Sequence, residues 1–136
     1  MDNKVLVRRW IEAVNEGDLD IVDALFDPSV VAHERGGDVH GTDVFPRKVV
    51  IAFRNAFPDL RLNVEDLVAE GDRVAVRWTA SGTHDGAFMG IAPTGTQVTF
   101  SGTYIYRIAG GRIAEVWPSR DELGLLQQLG AIPRPE

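Results

Sequence analysis

The hydrophobic positions in the first half of the chain recur every three to four residues, which predicts helices. A first helix is expected from Lys4 to about Asn15, and Gly17 ends it. Its apolar face is formed by Leu6, Trp10, Ile11 and Val14. Asp18 can cap a short second helix, which Pro28 would stop. The chain therefore opens with two helices, of which only the first is long.

A third helix is predicted before residue 60. Thr42 is a candidate cap, and Pro46 must lie in the first turn, where a missing N–H is tolerated. Pro58 closes this helix. Its apolar side is formed by Phe45, Val49, Ala52, Phe53 and Ala56. The apolar run 30–32, between the second and third helices, predicts one short strand.

From Leu60 onward the hydrophobic period falls to two, which predicts strands. Four are expected, over residues 60–65, 74–80, 97–108 and 112–117. A last helix follows, with Leu125, Leu126, Leu129 and Ile132 on its apolar face. Helices followed by a meander of long strands predict an α+β fold, with the helices on one face of a mainly antiparallel sheet. The pattern leaves open which sheet face meets the helices and which meets a partner subunit.

Composition narrows the function classes. The 136 residues have the size of one domain, and no linker, repeat or low-complexity stretch divides them, so residues 1–136 are predicted to be a single domain. The absence of cysteine excludes a disulfide scaffold and a Cys nucleophile, and it fits a cytoplasmic protein. A net charge of −6 with scattered basic residues argues against nucleic acid or membrane as partner. No signal peptide is expected at the N-terminus.

Few residues could perform acid–base chemistry. No metal-ligand spacing relates His33, His40 and His84, so no metal is predicted. His40 is expected in a solvated, glycine-flanked loop, whereas His33 and His84 each follow an apolar strand. These two could point into a shared cavity or could hydrogen-bond the backbone at a strand end. The long glycine-rich connection 84–96 is either a binding lid or a loop that covers the core.

The segment that ends the last strand carries the strongest local signal. Glu115, Trp117 and Ser119 share one strand parity with Ile113, and Asp121 stands where the strand meets the final helix. An aspartate in front of a helix is normally its N-cap. Ser119 with Glu122 also fits a capping box, which would free Asp121 for another role. Both readings remain open at this point.

Three runs of sequence carry a family resemblance: GTHDGAFMGIAPTG, GTYIYRIAGGRIAEVW and DELGLLQQLG. Together they resemble the SnoaL-like polyketide cyclases of the nuclear transport factor two-like superfamily. The resemblance implies a cone-shaped α+β barrel with a deep apolar pocket, assembled as a homodimer or homotetramer and working without a cofactor. It also implies that Asp121 is the general base and acid of an intramolecular aldol closure.

The same resemblance points to His33, His84 and Arg107 as residues that line the pocket around a small apolar or aromatic carbonyl ligand. Trp117 is expected as an apolar wall that raises the pKa of Asp121 by desolvation.

An isomerase would need a tyrosine or second acid facing the base, and a hydrolase would need Asp, Arg and Asn around a bound water. A non-catalytic binding or dimerisation module is the alternative from another class, and it predicts that Asp121 only caps a helix.

Overall fold

The computed structural model describes residues 2–133 and contains four α-helices and six strands in that range. The helices are α1 (Asn3–Glu16), α2 (Val22–Leu25), α3 (Val49–Ala56) and α4 (Glu122–Gln128). The strands are β1 (Phe26–Glu34), β2 (Gly37–His40), β3 (Arg61–Glu70), β4 (Arg73–Thr83), β5 (Gln97–Ala109) and β6 (Arg112–Arg120). None of the helices within 2–133 is long and apolar enough to cross a bilayer.

The six strands form one curved, open sheet in the order β2-β1-β6-β5-β4-β3. Only β1 and β6 pair in parallel, and every other neighbouring pair is antiparallel. The helices pack on one face, as the predicted α+β class requires, so this expectation is confirmed. Trp10 of α1 and Phe26 of β1 make an edge-to-face contact, with ring centroids 4.8 Å apart, in the core that the helices and sheet share.

The two faces of the sheet differ sharply in chemistry. The face toward the helices, called the inner face below, carries Val76, Trp78, Phe100, Tyr106, Ile113 and Val116, all buried. The opposite, outer face carries the alternate positions, such as Arg77, Thr103 and the partly exposed Ile105. Burial of the inner face removes apolar surface from water, which is the main contribution to the stability of such a domain.

One irregularity in β6 changes which residues face inward. Arg107 pairs with Glu115 and Ile108 pairs with Ile113, so Ala114 is an extra residue, a β-bulge. Ile113 therefore points to the core, whereas Glu115 points to the outer face. The expectation that Ile113, Glu115, Trp117 and Ser119 share one face is wrong, because alternation does not continue through a bulge.

The region between α2 and α3 also departs from the prediction. Pro28 does not stop a helix; it lies inside β1, and the segment expected as a loop around His40 forms the β1–β2 hairpin. A π-helical segment, Asp43–Lys48, precedes α3, and Phe45 is extended (φ −117°, ψ 124°), as favoured before a proline. Thr42 makes no side-chain cap, so the predicted start of the third helix is wrong.

Candidate functional site

A cavity lies between the helices and the inner face of the sheet. Its volume is about 50 Å³, and the empty space rises to about 600 Å³ when open solvent at its mouth is included. The helical side is lined by Trp10, Ile11, Val14, Phe45, Val49 and Phe53, and the sheet side by Leu62, Trp78, Phe100, Tyr104, Tyr106 and Arg120. Apolar and aromatic side chains that surround a few polar groups are typical of a small-molecule site.

Among the residues that the structure describes, Arg120 is the one charged residue in this lining. Its Nε donates to the Tyr104 hydroxyl at 2.7 Å, and its Nη1 and Nη2 donate to the two Glu34 carboxylate oxygens at 3.1 Å each. Only 7% of the Arg120 side chain is exposed, against 21% for Glu34. The guanidinium is thus neutralised by a forked ion pair, a geometry that suits arginine and carboxylate.

The position of Arg120 follows from the strand that carries it. Arg120 is opposite Gly102 of β5, on the same face as Tyr104 and Tyr106. A side chain at Gly102 would collide with the Trp78 ring and with the Ser119 carbonyl, so only glycine allows these two strands and the indole to approach so closely. Glu34, the last residue of β1, reaches Arg120 across the end of the sheet.

The remaining polar groups of the lining are aromatic. Burial raises the pKa of the Tyr106 hydroxyl well above its ordinary value. Burial also raises the pKa of Tyr104, although the adjacent Arg120 guanidinium acts in the opposite direction. Trp78 is buried, and its indole N–H has no acceptor among residues 2–133. Both phenols therefore stay protonated near neutral pH, and the cavity presents hydrogen-bond donors.

Asp121, the predicted general base, is the N-cap of α4. One carboxylate oxygen accepts from the Gly124 N–H at 2.9 Å, the side chain is exposed, and Asp121 is not among the cavity-lining residues. The expectation that Ser119 caps this helix and releases Asp121 is wrong, because Ser119 still belongs to β6. The catalytic role of Asp121 stays a prediction.

His33, Arg107 and Trp117, which were predicted to line the pocket, lie together on the outer face of the sheet and are not among the residues that line the cavity. Glu115 joins them: it accepts from Arg107 Nε at 2.8 Å and is 2.5 Å from His33 Nε2. The His33 ring stacks on Trp117, with centroids 5.1 Å apart. This cluster is called the outer-face cluster below.

Charged partners shift the pKa values of two residues in the outer-face cluster. Hydrogen bonds to Glu115 and to Asp38 raise the pKa of His33. Hydrogen bonds from Arg107 and His33 lower the pKa of Glu115. These shifts favour the protonated imidazole and the ionised carboxylate, which stabilise each other. Trp117 therefore packs against charged groups on the outer face and is not a wall of the cavity.

His84 is buried at the end of β4, below the 84–96 connection. Its Nδ1 accepts from the Thr94 N–H at 3.2 Å, which places the proton on Nε2. That Nε2 is buried without a partner among the described residues. Phe88, from the middle of the connection, is buried against Phe53 and Phe57, so the connection covers the core. Of the two alternatives for the connection, this packing favours the core cover over the lid.

Tyr104, Arg120 and Glu34 were missed by reasoning from sequence. The parity of β5 contained a signal, because Phe100, Tyr104 and Tyr106 alternate with threonine and serine and mark one aromatic face. Arg120 was hidden by the bulge, and Glu34 by a hairpin whose second strand is only four residues long. Within 2–133, no group of three His, Cys, Asp or Glu side chains is arranged to hold a metal ion.

Comparison with known proteins agrees with this architecture. The structure of AclR from Streptomyces galilaeus, a proposed hydroxylase, is 34% identical with a TM-score of 0.89, over 98% of this chain and 84% of that one. IdmH from Streptomyces antibioticus, a proposed polyketide cyclase, is 32% identical with a TM-score of 0.81, over 96% and 99%. TsrD from Streptomyces laurentii is 31% identical with a TM-score of 0.84, over 93% of both chains.

No protein of curated function matches the sequence significantly. The family model for the SnoaL-like polyketide cyclases matches residues 4–129, nearly the whole length. This match agrees with the order of helices and strands and with the apolar cavity between them. The chain belongs to the SnoaL-like polyketide cyclase family.

Proposed function

We propose that this chain is a cofactor-independent acid–base enzyme that acts on a small carbonyl compound, most concretely by intramolecular aldol cyclisation of a polyketide ester. The observation that carries the proposal is the apolar cavity with one polar cluster, Tyr104–Arg120–Glu34, in a chain of this family. An apolar wall suits the polyketide skeleton, and the cluster suits its oxygen atoms.

The chemistry needs only a base and a place for negative charge. A carbon flanked by two carbonyls is acidic enough for a carboxylate to remove its proton, and the resulting charge spreads over the conjugated oxygens. Positioned acid–base groups contribute roughly 10² to 10⁴ in rate, and orienting the two reacting carbons contributes further. The donors at the cavity wall supply stabilisation where the enolate charge develops.

Two carboxylates compete for the role of base. The family resemblance indicates Asp121, which lies outside the cavity lining as the cap of α4. Glu34 is not a lining residue either, but it contacts Arg120, which is one, so the geometry favours Glu34 over Asp121. Asparagine caps helices about as well as aspartate, so Asp121→Asn removes the acid–base function while it retains the cap. Glu34→Gln is the corresponding change at the other carboxylate.

The test is turnover of a panel of aromatic polyketide methyl esters, followed by liquid chromatography with mass detection. Aldol closure gives a product of unchanged mass and new retention time, or one lighter by a water molecule. We expect wild type to convert at least one member, and the variant that lacks the base to lose most of that rate. Glu65→Ala, an exposed carboxylate without a side-chain partner in the described structure, is the control.

Other outcomes favour other functions. A product heavier by one oxygen atom would favour hydroxylation, the activity proposed for AclR. A migrated double bond would favour an isomerase, for which the cavity tyrosines are suitable. Binding of an ester without any conversion, by wild type and variants alike, would favour the non-catalytic module. Assembly as a homodimer or homotetramer remains a prediction, which sedimentation velocity tests directly.

A further inference from the structure

The Tyr104 hydroxyl has an unused hydrogen-bond donor inside the cavity. Its oxygen accepts from Arg120 Nε at 2.7 Å, and its own hydrogen has no acceptor among residues 2–133. A hydroxyl that accepts a hydrogen bond from a cation becomes a stronger donor, because the two bonds polarise each other. The orientation of this phenol is fixed by its contacts with Trp78 and Phe45, at centroid distances of 5.5 Å and 6.4 Å.

The charge balance of the cluster limits what can bind beside it. Both terminal nitrogens of Arg120 are already paired with the Glu34 carboxylate, so the positive charge is compensated. A ligand carboxylate placed here would lose its water without gaining a free cation, which is costly. A neutral carbonyl oxygen needs only one donor, and Tyr104 supplies it. The buried Trp78 N–H, from a residue that lines the same cavity, is a further unused donor.

We propose that the Tyr104 hydroxyl is a catalytic residue that donates to the carbonyl oxygen of a neutral ketone or ester, and that this cavity therefore excludes the corresponding free acid. This inference rests on the proposed function, because it takes the cavity as the ligand site. When the carboxylate base removes the α-proton, the C–H electron pair moves to the carbonyl oxygen, where Tyr104 holds the charge. The enolate carbon then bonds to the second carbonyl carbon, and the alkoxide formed takes the proton back from the base.

Three aromatic probes of equal ring size test the donor without requiring turnover. They are 2-acetylnaphthalene as the neutral ketone, 2-ethylnaphthalene as the analogue without oxygen, and 2-naphthoate as the carboxylate. One hydrogen bond of ordinary strength should make the ketone bind wild type about 3- to 10-fold more tightly than the ethyl analogue, by calorimetry. The naphthoate should bind most weakly. The infrared carbonyl stretch of the bound ketone should move to lower frequency.

Tyr104→Phe removes the hydroxyl and keeps the ring. The variant should bind the ketone no better than the ethyl analogue, return the carbonyl stretch toward its value in an apolar solvent, and leave affinity for the ethyl analogue within about 2-fold. Glu34→Gln should increase naphthoate binding, because it uncovers the charge of Arg120. Circular dichroism verifies the fold of both variants. The carbonyl frequency of the ketone bound to wild type tests the hydrogen bond without any variant.

The results separate this inference from the proposed function. An unchanged carbonyl frequency in Tyr104→Phe, or tighter binding of naphthoate than of the ketone to wild type, would overturn the inference alone. Failure of all three probes to bind would overturn the cavity as a ligand site and the proposed function with it. Ketone binding that depends on Tyr104, in a protein that converts no polyketide ester, would overturn the proposed catalysis and support the donor.

Discussion

Replacement of Glu34 by alanine should destabilise the fold, because it leaves the guanidinium of Arg120 in the cavity wall without its carboxylate partner. Two hydrogen bonds of 3.1 Å disappear, and only 7% of the Arg120 side chain is exposed to water that could replace them. Removing one partner of a buried ion pair costs roughly 3–5 kcal/mol. Glu34 is 21% exposed and the cavity is open, so screening lowers our expectation to about 2–3 kcal/mol.

For a domain of this length, 1 kcal/mol corresponds to roughly 3–4 °C in Tm, so Glu34→Ala should melt about 6–12 °C lower than wild type. Glu34→Gln keeps one acceptor and should lose about half as much free energy. Urea unfolding followed by tryptophan fluorescence measures both changes. Trp10 and Trp78 line the cavity, so the signal reports on the region that the substitution disturbs.

A double-mutant cycle with Arg120→Met isolates the pair from other effects of the substitution. If the ion pair carries the loss, Glu34→Ala should cost much less free energy in the Arg120→Met background. Glu65→Ala is the matched control on the surface and should stay within about 0.5 kcal/mol of wild type. A loss for Glu34→Ala no larger than that of the control, or a coupling energy near zero, would refute the reasoning.

Three further perturbations address other parts of the fold. The raised pKa of His33 means that its stabilisation is complete below the ordinary value of 6.5 and is lost as the pH rises through the folded-state pKa. The free energy of unfolding should therefore fall by about 0.5–1 kcal/mol between roughly pH 6 and 9. This decline should be absent in His33→Gln. The pKa of Glu115 is lowered instead of raised, so its contribution to stability is lost only as the pH falls into the acid range. His84→Leu removes the acceptor of the Thr94 N–H, whereas His84→Asn keeps an acceptor at this position. Chymotrypsin should therefore cut the 84–96 connection faster in His84→Leu than in His84→Asn. Equal rates of cutting would contradict a role of His84 in holding the connection. Asn15 pairs with both the N–H and the carbonyl of Leu62, so Asn15→Ala should lose about 1–2 kcal/mol in urea unfolding, and no loss would show that these bonds are replaced by water.

The elements with a regular period were predictable from the sequence. The helix predicted over 4–15 is α1, which occupies Asn3–Glu16. The strand predicted over 97–108 is β5, which occupies Gln97–Ala109. In both, the apolar stripe coincides with the buried face, so local pattern and tertiary packing agree. The β1–β2 hairpin was not predictable, because β2 is short and none of its side chains is fully buried.

The polar residues of the cavity could not be located in the same way. Asp121 and Arg120 are neighbours in sequence, yet one caps a helix in water and the other lies in the cavity wall. Which of them faces inward depends on the bulge at Ala114, and sequence alternation does not reveal an extra residue. The carboxylate that pairs with Arg120 comes from β1, a contact 86 residues distant in the chain, which no local pattern encodes.

The bulge at Ala114 has an evolutionary consequence. Side chains alternate between the two faces along a strand. Loss of one residue at this point would therefore turn the β6 side chains on one side of the deletion to the opposite face of the sheet, while those on the other side keep their orientation. Glu115 and Trp117 could then enter the cavity, while Val116 and Arg120 would move to the outer face. A single-codon deletion could thus replace a neutralised donor site by one with an uncompensated carboxylate, without any substitution. Relatives aligned across this point without regard to the bulge would appear to share site residues that in fact lie on opposite faces.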